Sequence, residues 1–230
     1  MEGPNGESLP LLIKFLFTTE WLSVQVHPND EYASRHHQSK GKTEMWHILR
    51  AEPGAQIALG LRETMTPQEL REASESGEIE RKLNRIDVHP GETYFVPAGT
   101  IHAIGAGIAL CEIQQQSDVT YRLYDYGRPR ELHLDHGVKV SYRREYVQVP
   151  QSADPNCVAE SAYFRTDRLE FNGHGTINAT REGPCWVIGI EGEDAGKAWQ
   201  IEAGSDMEIR SSGRSVFLRT LVPAVIQKRL

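Results

Sequence analysis

The chain has 230 residues, 39% hydrophobic and 25% charged, with a net charge of −7 at pH 7. That length supports one large or two small domains with a real core. The acidic balance excludes a general nucleic-acid binder, which must set clustered cations against phosphate, but not a small phosphorylated ligand held by a few local cations. Cys111, Cys157 and Cys185 stand far apart and form no C-x-x-C. Neither a disulfide framework nor a thiolate zinc site is expected, and a reducing cytoplasm fits. Residues 1–8 are polar and precede no signal-peptide pattern, and the apolar run 9–17 is too short and interrupted to span a bilayer.

In chain order, residues 11–17 read as a strand interrupted by Lys14. Residues 21–28 alternate: Leu22, Val24 and Val26 face one way, and Ser23, Gln25 and His27 the other. If the apolar set packs against another layer, the polar set lines a cavity. Residues 29–41 are polar and read as a loop, with His36 and His37 solvated. From Lys42 the alternation places Lys42, Glu44, Trp46 and Ile48 on one strand face and His47 on the other. On a surface, a Lys42–Glu44 pair is worth little; in a cavity with Gln25 and His27, Glu44 becomes a candidate ligand.

Residues 56–61 form the next strand. Thr66-Pro67-Gln68-Glu69 is a capping box with proline at the first helical position, so a helix runs to about residue 74 and a shorter one spans 77–84. Strand resumes at 86–89. Then comes Gly91-Glu-Thr-Tyr-Phe-Val-Pro97-Ala-Gly99-Thr-Ile-His102. Residues 93–96 are β-branched and aromatic; Pro97 and Gly99 end the ladder in a tight turn that aims His102 inward.

Residues 107–115 are an apolar strand in which Cys111 is a packed, inert thiol. The stretch 114–128 is polar and aromatic; Asp118 and Arg122 lie four apart, and Thr120, Arg122, Tyr124 and Tyr126 share a face. A buried arginine needs a partner, and its functional use is bidentate capture of a phosphate or oxyanion. Residues 129–137 read as a linker with His133 and His136 exposed, and 139–149 as strand. The boundary falls at 151–156, and the short strands expected over 163–171, 175–180, 185–191, 199–201, 207–210 and 215–221 suggest a sandwich or barrel.

Taken together, Gln25, His27, Glu44 and His102 supply two imidazoles, a carboxylate and an amide oxygen, a donor set that suits a borderline divalent metal, zinc first. Gly-x5-Pro-x-Gly-x2-His over 91–102 is the second motif of the cupin superfamily, and Gln25-Val-His27 with Glu44 stands where the first belongs. More closely, Leu-Ser-Val-Gln-Val-His-Pro (22–28), Gly-Lys-Thr-Glu-Met-Trp (41–46), Val-Pro-Ala-Gly-Thr-Ile-His-Ala (96–103) and the run 114–128 resemble type I phosphomannose isomerases. The resemblance covers residues 9 to about 145.

The resemblance implies an all-β fold with a small helical insertion. A metal-binding cupin domain (double-stranded β-helix, or jelly-roll barrel) spans 1–150, with the insertion at about 66–84, and a smaller cupin-like β domain spans 151–230. It implies one Zn2+ per chain on Gln25, His27, Glu44 and His102, sugar-phosphate contacts from Ser23, Lys42 and Arg122, and catalytic roles for Arg122, Lys42 and Asp118. The activity implied is interconversion of mannose 6-phosphate and fructose 6-phosphate through a cis-enediol, in a cytoplasmic monomer or homodimer with no nucleic-acid or membrane partner. The base stays open among Asp118, Lys42 and a zinc-bound water. The alternative is a non-catalytic sugar-phosphate-binding cupin that retains the metal site. An iron dioxygenase is disfavoured by the glutamine ligand and by the Lys42–Arg122 pair, since an oxygenase has no need of phosphate anchors.

Overall fold

The computed structural model of the chain describes residues 9–148 and 152–223. They group into two compact units divided between Gln148 and Val149. The readings placed on residues 1–8, on the end of the 139–149 strand and on Gln151 lie outside the described residues.

The first unit runs β1 (Leu11–Phe17), β2 (Val24–Val26), α1 (Asp30–His37), β3 (Glu44–Ala51), β4 (Gln56–Leu61), α2 (Pro67–Ser76), α3 (Ile79–Lys82), β5 (Leu83–Asp87), β6 (Thr93–Val96), β7 (His102–Ile104), β8 (Ile108–Gln115), β9 (Tyr121–Tyr124) and α4 (Leu134–Val140). Its strands form two antiparallel sheets, ordered β1-β8-β3-β6 and β5-β4-β7-β2-β9. The sheets face one another without joining into a closed barrel. Trp46 and Ile48 of β3 and Leu110 of β8 pack there against Ile57, Leu59 and Ile104 of the other sheet.

The outer face of the second sheet is covered by helices. Val24, Val26, Ala58, Ala103, Tyr121 and Leu123 pack against Leu70 and Ala73 of α2, Ile79 of α3 and Leu134 and Val138 of α4. This is the second layer that the alternation of residues 21–28 requires, and it turns Gln25 and the residues in register with it inward. Leu22 departs from the expected pattern: the ladder begins only at Val24, so Leu22 packs in the inter-sheet cluster instead.

Helix α2 forms where its capping box predicts: Thr66 accepts from Glu69 N, and the Glu69 carboxylate accepts from Thr66 N. Two other helices overturn the sequence reading. Residues 30–37 are helix, not loop. Asn29 caps it by accepting from Tyr32 N; Ala33 alone is buried, so no apolar period marked it. Residues 134–140 are also helix where a linker and strand were expected. Gly137, taken as the end of the linker, sits inside the helix for close packing: a Cβ would lie 2.6 Å from Leu123 Cδ2. On α4, His136 is half-buried and stacks on Tyr121 at 5.0 Å, and His133 is half-buried too, not exposed. On α1, His37 Nε2 lies 2.5 Å from Tyr121 Oη, although the ring is exposed as expected.

The second unit is one antiparallel sheet, ordered β10-β11-β14-β12-β13, built from β10 (Cys157–Glu160), β11 (Arg165–Asn178), β12 (Cys185–Glu191), β13 (Ala198–Ile201) and β14 (Asp206–Leu221). Segments expected as four short strands are two long ones, β11 and β14, paired along their length with a register shift between Asn172 and His174. Gly173, at φ +87°, lies at that shift, which interrupts the ladder without ending it. Ile177, Val187, Ile209 and Phe217 form its core.

Candidate metal centre

Three strands and a turn bring the site together. His27 follows β2, Glu44 opens β3, and His102 opens β7 after the Pro97–Gly99 turn. The turn is fixed by Gly99 N donating to His27 O at 2.8 Å, and Gly99 holds φ +90°, open to glycine at little cost. The two connections thus brace each other. The chain from His27 to Glu44 is folded back through α1. Asp30 Oδ1 accepts from Gly41 N at 2.8 Å and from Gln115 Nε2 at 2.9 Å, while Gln115 Oε1 accepts from Thr43 N at 2.9 Å.

The result is a compact buried cluster. The ligand atoms of His27, Glu44 and His102 all lie within 4.8 Å of one another, and none of the three side chains is more than 1% exposed. His27 Nε2 is 3.4 Å from Glu44 Oε2, and His102 Nε2 is 3.6 Å from Oε1. Lys42 Nζ, also buried, is 3.3 Å from Oε2.

The tautomers follow from hydrogen-bond chemistry. His27 Nδ1 faces Val119 O at 3.2 Å and His102 Nδ1 faces Thr100 O at 2.9 Å. A carbonyl oxygen can only accept, so both Nδ1 atoms carry the proton and both Nε2 atoms present lone pairs. Those two Nε2 atoms and Glu44 Oε2 are buried without a hydrogen-bond partner. Two lone pairs aimed at a carboxylate, out of water, is a costly arrangement unless a cation sits among them. The N–H to main-chain carbonyl bond on each outer nitrogen is the usual support of a metal-ligating histidine. The donor set therefore fits a divalent metal.

Charge states agree. Burial first, and the Lys42 cation second, push the His27 pKa down to about 3. Burial likewise lowers His102. Burial alone would raise Glu44, but the Lys42 cation beside it opposes burial, and the carboxyl is held well below its usual range. Neutral imidazoles and an ionised carboxylate are the forms that bind metal.

Gln25 is half-buried and stands directly opposite His102 on one side and Arg122 on the other, so these three side chains share the inner face. Ser23 is buried just before β2. Arg122 is half-buried; its Nη1 donates to Glu131 O at 2.7 Å and its Nε lies 4.0 Å from Asp125 Oδ2. Tyr124 leaves the Arg122 face: a register shift sets it opposite Val24, and it packs in the helix-covered cluster beside Gly77; Tyr126 has φ +53° and packs against the same cluster. Asp118 is exposed and is not part of the cluster.

Sequence reasoning missed the supports. Asp125 is 2% exposed and takes both Arg128 and Arg130. Glu112 is a second buried carboxylate beside the site, its pKa raised by burial and by Glu44. An acid inside Ile-Ala-Leu-Cys-Glu-Ile was the available signal for Glu112. The inert reading of Cys111 agrees with burial, which pushes the thiol up to about 12.

A two-sheet, cupin-type fold with a histidine–glutamate–histidine cluster on its inner face is the class of protein that these features define. A family model for "Phosphomannose isomerase type I, catalytic domain" matches residues 1–66. The mannose-6-phosphate isomerase ManA of Bacillus subtilis (strain 168) is 41% identical over 204 residues, 82% of this chain and 64% of that protein. The mannose-6-phosphate isomerase of Streptococcus mutans is 44% identical over 137 residues, 57% of this chain and 43% of that one. The crystal structure of the mannose 6-phosphate isomerase from Bacillus subtilis superimposes with a TM-score of 0.76 at 30% identity, covering 94% of this chain and 76% of that one. The chain belongs to the type I phosphomannose isomerase family. It spans less than two thirds of the length of both curated relatives.

Proposed function

We propose that this chain is a zinc-dependent aldose–ketose isomerase that interconverts mannose 6-phosphate and fructose 6-phosphate. The observation that carries the reading is the buried His27–Glu44–His102 cluster, with two bare imidazole nitrogens and Lys42 in contact with its carboxylate. Relatives that carry this activity in their names support it.

The reaction moves a proton between C1 and C2 through a cis-enediol, and its barrier is the charge that develops on two adjacent oxygens. Zinc held by His27, Glu44 and His102, with Gln25 as the fourth protein ligand, supplies Lewis-acid polarisation of those oxygens when bound. Arg122 offers a planar, permanently charged fork for an oxyanion or phosphate oxygen. Ser23 and Lys42 contact the sugar phosphate, and anchoring of this kind orients the reacting carbons. Of the two side chains put forward for proton transfer, Lys42 touches Glu44 whereas Asp118 is exposed, so we assign the transfer to Lys42. Positioned acid–base groups contribute about 10²–10⁴-fold. No helix of the described residues is long and apolar enough to cross a membrane; the cytoplasm is the setting proposed, with the protein a monomer or homodimer.

The test is fructose 6-phosphate formation from mannose 6-phosphate by the purified chain, with zinc, after chelation, and in H102A. Zinc-dependent turnover that disappears in H102A supports the assignment. A folded, zinc-loaded protein that binds the sugar phosphate without turnover refutes it in favour of a binding cupin.

A further inference from the structure

We infer that Trp46 is a positioning residue for the metal site: its indole N–H fixes the rotation of the Glu44 carboxylate, so that Oε2 faces His27 and Oε1 faces His102. The inference rests on the reading of Glu44 as a metal ligand. Trp46 is wholly buried, two residues beyond Glu44 on β3 and on the same face. Its Nε1 donates to Glu44 Oε1 at 3.1 Å, and Oε2 is left without a hydrogen bond between His27 and Lys42. A glutamate's terminal torsion is soft, so an unheld Glu44 would rotate its carboxylate plane away from the two imidazoles. The indole removes that freedom. The same ring meets His102 edge-on, with centroids 5.4 Å apart at 71°, so one side chain touches two members of the cluster.

The indole is itself held. The same N–H is shared with Glu112 Oε2 at 3.2 Å, and Lys14 Nζ donates to Glu112 Oε1 at 3.0 Å. These three residues form a straight row across the sheet, Lys14 on β1 opposite Glu112 on β8, and Glu112 opposite Trp46 on β3. Lys14 also donates to Gln114 Oε1 at 2.6 Å, and Gln114 stands opposite Glu44 in the neighbouring row. The lysine answers the charge of Glu112, which would otherwise compete for the indole and repel Glu44. An interruption in an edge strand thus reaches the metal ligand through one carboxylate and one indole. Supports of this kind are worth about 10–100-fold in metal affinity.

The test compares wild type, W46F and a variant carrying at position 46 the benzothiophene analogue of tryptophan, which keeps the ring's shape but replaces the N–H by sulfur. Zinc affinity is read by competition with a chromophoric chelator, and ligand geometry by the visible absorption of the Co2+ form. Zinc is expected to perturb tryptophan fluorescence in wild type and to leave that of W46F, which retains Trp21, Trp186 and Trp199, largely unchanged. Both variants are expected to bind zinc about 10–100-fold more weakly, with an altered Co2+ spectrum. Because W46F opens space beside a fully buried ring and can fail to fold, the shape-matched analogue decides the matter. If the analogue binds zinc as tightly as wild type with the same Co2+ spectrum, packing is the whole role of Trp46 and the inference falls. If wild type binds no zinc, the ligand reading of Glu44 falls first and this inference with it.

Discussion

Replacing Asp125 by asparagine tests how the arginine beside the site is kept in place. Asp125 follows β9 three residues after Arg122 and is 2% exposed. Its Oδ1 accepts from Arg128 Nε at 3.1 Å, Arg128 Nη2 at 2.8 Å and Arg130 Nη2 at 2.6 Å, and its Oδ2 accepts from Arg130 Nε at 2.5 Å. Asparagine has one acceptor oxygen. In its better orientation that oxygen keeps the three contacts of Oδ1, and the amide NH2 then faces the N–H of Arg130, donor against donor. One charge-assisted hydrogen bond is worth about 1.5–3 kcal/mol, and a buried anion that answered nearby cations is lost with it. Arg130 is 49% exposed and Arg128 26%, so water recovers part of the cost, and the expected loss is about 2 kcal/mol. Equilibrium urea unfolding measures it, as a lower midpoint at unchanged m. The acid limb supplies a second reading. Burial raises the Asp125 pKa, but the Arg130 and Arg128 bonds outweigh it and hold it below its ordinary 3.8. A depressed carboxyl contributes stability that is complete above that value and lost as pH falls through the folded pKa, so D125N flattens this part of the acid limb. With three arginines around a neutral group, Arg122 is repelled from its seat, and kcat/KM falls as well. A stability change below about 0.5 kcal/mol would show that the guanidinium groups are satisfied by solvent and that Asp125 orders nothing.

Two further outcomes follow from the same structure. His27 is neutral in the fold, its pKa pushed down to about 3 from 6.5 by burial and then Lys42. The unfolded chain therefore takes up the proton first, and the metal-free protein loses stability as pH falls below 6.5, by at most about 1.4 kcal/mol per pH unit from this residue; urea midpoints at about pH 7.5 and about pH 5.5 should converge in H27Q. At Gly41 an added Cβ would lie 2.6 Å from Asn29 C and Asp30 N. G41A therefore displaces the segment that carries Lys42, costs about 1–3 kcal/mol in denaturant unfolding, and lowers turnover more than that loss of stability explains.

The gathering of His27, Glu44 and His102 was legible because it is a matter of alternation and punctuation. Ser23, Gln25 and His27 alternate with apolar neighbours that truly have a second layer behind them, and Pro97 and Gly99 end a ladder where a turn is needed. The helices α1 and α4 were not legible. Each presents few apolar residues; the partner of α1, Tyr121 on β9, lies 84 positions from His37, and α4 packs in the same cluster as Leu123 of that strand. Gly137 looks like the end of a linker in sequence, because its reason for being glycine is a leucine methyl fourteen residues away. The supports of the site were hidden for a related cause. Lys14 and Glu112 lie 98 positions apart, and only strand register puts them on one line with Trp46. Asp118 drew notice by its spacing from Arg122, and spacing alone did not carry it into the cluster.

Both candidate ligand histidines are oriented by main-chain carbonyls, Val119 O and Thr100 O, instead of by side chains. The proton that decides which nitrogen is free for a cation is therefore written into the path of the backbone. No substitution at Val119 or Thr100 that preserves the path can remove the acceptor, because every amino acid brings the same carbonyl. A mutational scan of these two positions should find the tautomers insensitive to residue identity and sensitive to backbone geometry. Side chains elsewhere around the cluster could then be exchanged while the tautomers of both candidate ligands stayed as they are, which separates the readiness of the cluster for a cation from the identity of the residues that surround it.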